Sequence, residues 1–167
     1  MIKKILLAIA IALPMSAMAQ KFGVVNVEQV ITALPDYTAM QTTLSDASKK
    51  YEDEFAKLRE QMDKLVADYQ TIQNDANTPE AIKERRIQEI QEMQSKIEQF
   101  RNTAQEDLAR QQQQLMMPIQ QKFQDAVKAV GQEGSYTFVF PADPGLVLYQ
   151  GTDVTDVTAA VKTKLGI

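Results

Sequence analysis

Between residues 51 and 72 the apolar side chains fall at Tyr51, Phe55, Leu58, Met62, Leu65, Tyr69 and Ile72, in alternating steps of four and three. That spacing is a coiled-coil seam, narrower than the stripe of an ordinary globular helix. Met40 and Leu44 extend it backwards, so a long helix is predicted from Asp36 to about Ala76. The segment NDANTPEA then breaks the pattern. Asn74, Asp75 and Asn77 are turn formers, and Thr78 is placed to N-cap a second helix with Pro79 at its first position and Glu80 in its first turn. The second helix is predicted over 79–130, with a seam of Ile90, Met93, Ile97, Phe100, Ala104, Leu108, Leu115, Ile119 and Phe123, and with Gly131 and Gly134 ending it.

If the chain folds back at Asn77 and Thr78, facing residues have numbers summing to about 155. Leu65 then meets Ile90, Met62 meets Met93, Leu58 meets Ile97, Phe55 meets Phe100, Tyr51 meets Ala104 and Met40 meets Leu115. The two seams are in register, which predicts one antiparallel hairpin, an arm of roughly 60 Å at 1.5 Å per residue. Near its tip Tyr69 would face Arg86 and Ile72 would face Lys83. Basic stems would cover apolar side chains there, so the tip is expected to be the most loosely held part.

Outside the arm, taken as 36–118 with its tip near 74–80, the segments 20–35 and 119–167 make a small body. FGVVNV at 22–27 is a β-branched run and reads as a strand, followed by a helical turn or two over 28–34. Further strands are predicted at 136–140 and 146–150, joined by the turn signal PADPG, and a last helix at 158–165 follows Asp156. So small a sheet with open edges needs a partner. Self-association through Phe22, Val25, Val27, Phe138, Phe140, Leu146 and Leu148 is expected, with the arms projecting. The fold class is therefore α+β: a long antiparallel helical coiled-coil hairpin on a small β body that oligomerises.

Composition narrows the function. The start, MIKKILLAIAIALPMSAMAQ, has a basic Lys3-Lys4 region, an apolar run over 5–13 and an Ala17-Met18-Ala19 cleavage pattern. This is a secretory signal peptide, cut near Ala19, and its apolar run is too short to span a bilayer. Removing Lys3 and Lys4 takes the net charge from -4 to -6. An acidic exported chain argues against nucleic acid as a partner. The chain has no Cys and no His. Disulfides, lipid-modified cysteine, Ser-His-Asp or Cys-His catalysis and histidine metal sites are thereby excluded. There is no Gly-rich phosphate loop, and carboxylate runs such as Glu52, Asp53 and Glu54 read as a solvated helix face. No enzyme, cofactor or metal is expected.

The ending DVTDVTAAVKTKL resembles the Asp-[Ile/Val]-Thr-x-x-Val ending of the Skp (OmpH) family of periplasmic chaperones, through Asp156, Val157, Thr158 and Val161. FGVVNV, Leu34-Pro35-Asp36-Tyr37 and FQDAVKAV also resemble that family, in the same order along the whole mature chain. The resemblance implies a jellyfish-like homotrimer with a β-barrel-like body. Three arms would surround a cavity that takes up unfolded outer-membrane proteins in the periplasm without ATP. The best-known members are basic, whereas this mature chain is acidic. Lys83, Arg85 and Arg86 near the tip form its one dense basic cluster, the place to look for lipopolysaccharide or membrane contact. A structural coiled-coil spacer or adaptor of the envelope, with one fixed partner, is the alternative.

Residues 108–123, LARQQQQLMMPIQQKF, fit a cavity wall. Glutamines are good helix formers that hydrogen-bond without charge, and methionine suits promiscuous surfaces. Gln112, Gln113, Met116 and Met117 are therefore client-contact candidates, with the off-seam Val66 and Ile87. Contacts are expected to be many and weak. Pro118 falls opposite Pro35 at the arm base, and a proline inside a helix costs about 3 kcal/mol. The pair is expected either to form a hinge that lets the arm splay or to fix a kink.

Overall fold

The computed structural model describes residues 20–143, 145–147 and 149–167; the predicted signal peptide and Leu148 lie outside them. In order come β1 (Phe22–Val25), α1 (Val27–Ile31), α2 (Pro35–Ile72), α3 (Glu80–Glu133), β2 (Phe138–Pro141), β3 (Val154–Asp156) and α4 (Thr158–Leu165). The chain divides into two compact units, one of residues 31–122 and one formed by the segments before and after it, with the division inside α3 between Lys122 and Phe123. Among the described residues no helix is long and apolar enough to cross a membrane.

In the unit of residues 31–122, α2 and α3 form an antiparallel hairpin. Every seam position of α2 from Met40 to Ile72 is buried or half-buried, as is every one of α3 from Ile90 to Ile119, while most positions between them are exposed. The 38 residues of α2 rise about 57 Å. Register is visible at Tyr51, whose ring meets Phe100 edge-on at 5.9 Å and whose hydroxyl donates to Asp107 Oδ2 at 2.5 Å. Phe100 and Asp107 bracket Ala104, the partner expected from the fold-back register.

The ends of the helices differ from expectation. Pro35 is the first residue of α2, where a proline lacks only an N–H that would have had no partner anyway. It starts the helix and does not weaken it. Among the described residues only Pro118 lies inside a helix, and α3 runs through it. At the tip Thr78 does not cap α3. Its hydroxyl donates to Asp75 Oδ2 at 2.7 Å, while Asp75 Oδ1 accepts from the Asn77 backbone N–H at 3.0 Å and its amide at 3.2 Å. Asp75 therefore organises the turn, and the Pro79 carbonyl accepts the first helical bond, from Ile82. At the far end Gly131 stays helical, and the left-handed residue after the helix is Ser135 at φ 53°. Gly134 serves another purpose: a Cβ there would stand 2.3 Å from the Tyr136 ring.

The other unit holds a three-stranded sheet in the order β2–β1–β3, both pairs parallel. Parallel neighbours need a crossover, and the segment between β1 and β2 contains the whole hairpin. Among the described residues of 146–150 no strand forms where one was expected; Gly145 and Leu146 are in a turn closed by Asp143. The chain passes instead to the free edge of β1, where Val154 pairs with Phe22. The three residues of β3 carry too few apolar positions to be recognised as a strand. Val27, expected at the end of β1, begins α1.

One face of this sheet closes a core of Val25, Val30, Ala126, Val130, Val157 and Val161, with Val139 and Tyr136 packed on it. The residues that carry the C-terminal resemblance build this core. Val157 is 2% and Val161 0% exposed. Asp156 Oδ1 accepts from the Thr158 N–H at 2.8 Å, satisfying a donor at the start of α4.

Candidate functional site

Two stretches without charge lie opposite each other at the proximal end of the hairpin: residues 37–45 of α2 and 111–121 of α3. Charged groups bracket them. At one end Lys122 pairs with Asp36. At the other, Asp107 gathers Tyr51, Arg110 and Gln111. Those hydrogen bonds, Tyr51's first, hold the Asp107 carboxyl below its ordinary value, and the same bond raises the Tyr51 phenol. The brackets escaped the apolar-seam argument because they are polar, although their numbers sum to 158, within one helical turn of the fold-back value.

Within this belt the side chains expected to touch a client come together. Gln112, Gln113, Met116 and Met117, with Ala109 and Gln120, line one open groove of about 480 Å³ along α3. The spacing of three and four puts them on one helix face. Met117 is 60% exposed. Ala109 and Gln112 also line an adjoining hollow of about 540 Å³ with Leu44, Ser45, Ser48, Gln105 and Leu108. The surface is continuous, methionine and leucine for apolar contact, glutamine and serine for hydrogen bonds, with no charged side chain lining it. Val66 and Ile87 do not join it: both lie toward the tip, Val66 half-buried and Ile87 38% exposed.

The basic residues near the tip are occupied locally. Arg85 and Arg86 both bind Glu89, at 3.0 and 2.6 Å, and hold its carboxyl below the usual range. Lys83 approaches Glu80 at 3.7 Å with its side chain only 15% exposed. An anionic ligand there would compete with Glu80 and Glu89.

In the other unit the second face of the sheet presents an aromatic row. Phe22 stacks on Phe138 at 6.2 Å, and Phe138 on Phe140 at 5.7 Å. Phe138 is 57% and Phe140 47% exposed on an edge strand. Leu146 is 71% exposed, but in a turn. Val25, expected among the associating residues, is already covered by its own core and supports the row only from behind.

Two comparisons bear on what carries these surfaces. A protein described as "Chaperone protein Skp" from Yersinia enterocolitica is 28% identical over 164 residues, covering 93% of this chain and 94% of that protein. Residues 21–165 match the family described as "Outer membrane protein (OmpH-like)". The match takes in both helices of the hairpin, the three strands and the Asp-Val-Thr start of α4, and the chain belongs to the OmpH-like family.

Proposed function

We propose that this chain is an ATP-independent holdase of the periplasm, exported by its N-terminal segment. It keeps unfolded outer-membrane β-barrel proteins soluble in a cavity between helical arms. The observation that carries this reading is the uncharged Gln/Met groove on a hairpin of a family whose relative is named a chaperone. The surface offers apolar contact and amide hydrogen bonds without a shaped, enclosed pocket, which suits many weak contacts and not one fixed ligand. Three arms require three chains. The exposed Phe138 and Phe140 on an open edge strand, with Phe22 of β1 stacked beside them, support self-association, since such an edge and face are costly to leave in water. A trimer is the assembly the family resemblance favours. Pro118 leaves the Gln114 carbonyl without its helical donor, which supports a hinge near the groove.

A second reading, an envelope spacer with one fixed partner, is favoured by the Asp75 hydrogen bonds, which make the tip better ordered than a mobile client grip needs. The solution mass of the processed protein separates the two, measured alone and after a denatured outer-membrane β-barrel protein is diluted into it. The holdase gives a trimer that becomes a soluble trimer-plus-client. A stable oligomer that lets the client precipitate rejects the holdase in favour of the spacer.

A further inference from the structure

We propose that the charge-free belt of the hairpin selects the uncharged, alternating apolar segments of a client, its lipid-facing β-strands, and holds them without ion pairs. This rests on the holdase reading above. Elsewhere the hairpin carries charges of both signs along its helices, and residues 37–45 and 111–121 are its longest runs without one. An acidic or basic segment lying in the groove would lose water and gain no counter-charge. An uncharged one loses nothing of that kind. Its apolar side chains can rest on Met116, Met117, Leu44 and Leu108, and its unpaired backbone N–H and C=O groups can bond the Gln112 and Gln113 amides, which both donate and accept. Strands of outer-membrane barrels have this character, apolar on alternate residues with the backbone unpaired before folding.

Length fits a partial grip. Eleven helical residues rise about 16 Å, the length of about five residues of extended chain and about half of a membrane-spanning strand. Each belt would therefore hold a strand weakly and release it without an energy source.

The test uses the processed full-length chain and a urea-denatured outer-membrane β-barrel protein. Wild-type affinity is expected to stay within about threefold when salt is raised to about 1 M, where the screening length is about 3 Å. The double variant Gln113→Glu with Met117→Glu places two charges in the groove at exposed helical positions, and should weaken binding roughly tenfold or more. Gln88→Glu with Gln91→Glu adds the same charge toward the tip and should bind as wild type. Circular dichroism verifies the helices. Undiminished binding by the groove double variant overturns the belt and leaves the holdase standing; so does a wild type whose binding collapses in salt. A changed mass of the groove variant without client overturns it too, because the belt is then a contact between copies. A wild type that never retains client overturns the holdase reading and the belt together.

Discussion

The hydroxyl oxygen of Thr158 accepts a hydrogen bond from the backbone N–H of Asn26 at 2.9 Å, joining two residues 132 positions apart. Thr158 is 6% exposed, and its neighbour Val157 donates its own N–H to the Val24 carbonyl at 2.8 Å. The first and last elements of the unit are thus tied where β1 ends and α4 begins. Thr158→Val keeps the shape and removes the acceptor, leaving the Asn26 N–H without its partner. A loss of about 1–3 kcal/mol is expected from chemical denaturation. Thr158→Ser should recover most of it.

Ile119 is 2% exposed on the α3 seam, directly after Pro118. Ile119→Ala should cost about 2–5 kcal/mol, the range for emptying a packed aliphatic site. Met117→Ala, next to it but exposed, should change stability by less than about 0.5 kcal/mol. Parallel urea titrations decide, and equal losses would contradict the packing described.

Gly134→Ala would drive a methyl group into the Tyr136 ring, 2.3 and 2.6 Å from two of its carbons. That ring also lies under Lys21 Nζ, 4.1 Å from its centroid. The ring must move, and destabilisation of about 1–3 kcal/mol follows. Gly131→Ala meets nothing within 4 Å inside α3 and should stabilise by up to about 1 kcal/mol. Thermal melts of the two variants should move in opposite directions.

The clasp between Tyr51 and Asp107 makes the hairpin pH-dependent at both ends of the scale. Asp107 is depressed in the folded state, so its contribution is full above its ordinary 3.8 and fades as pH falls through the folded value. Tyr51 is raised, so its contribution is full below its ordinary 10.0 and is lost as pH rises through its folded value. Tyr51→Phe should abolish the alkaline limb and move the Asp107 titration upward. Carboxyl carbon NMR reads the second effect directly; an unmoved Asp107 would mean the bond is not made in solution.

Amide exchange tests the hinge. Residues around Leu115 to Gln121 should exchange faster than those near Ala104, and Pro118→Ala should slow them. Equal protection in the wild type would leave Pro118 as a fixed kink.

Local chemistry repeated along the chain determined much of this protein. Seam residues recur every three or four positions over many turns, so two long helices, their burial pattern and their antiparallel register were all legible. The groove was legible for the same reason: Gln112, Gln113, Met116 and Met117 share a helix face by spacing alone. Asp156, Val157, Thr158 and Val161 were visible as a resemblance, while their work in the core was not. Only the tertiary structure decided the sheet. Which segment pairs with β1 depends on a free edge and on the hydrogen bonds of Val157 and Thr158, not on the β composition of 146–150, so the short β3 displaced the stronger-looking run. It also decided that Val25 faces inward while Phe138 and Phe140 face out, because the parallel order sets which face meets the helices. The brackets at Asp36–Lys122 and Tyr51–Asp107 appear only once two helices stand side by side, since each is a pair between residues far apart in sequence.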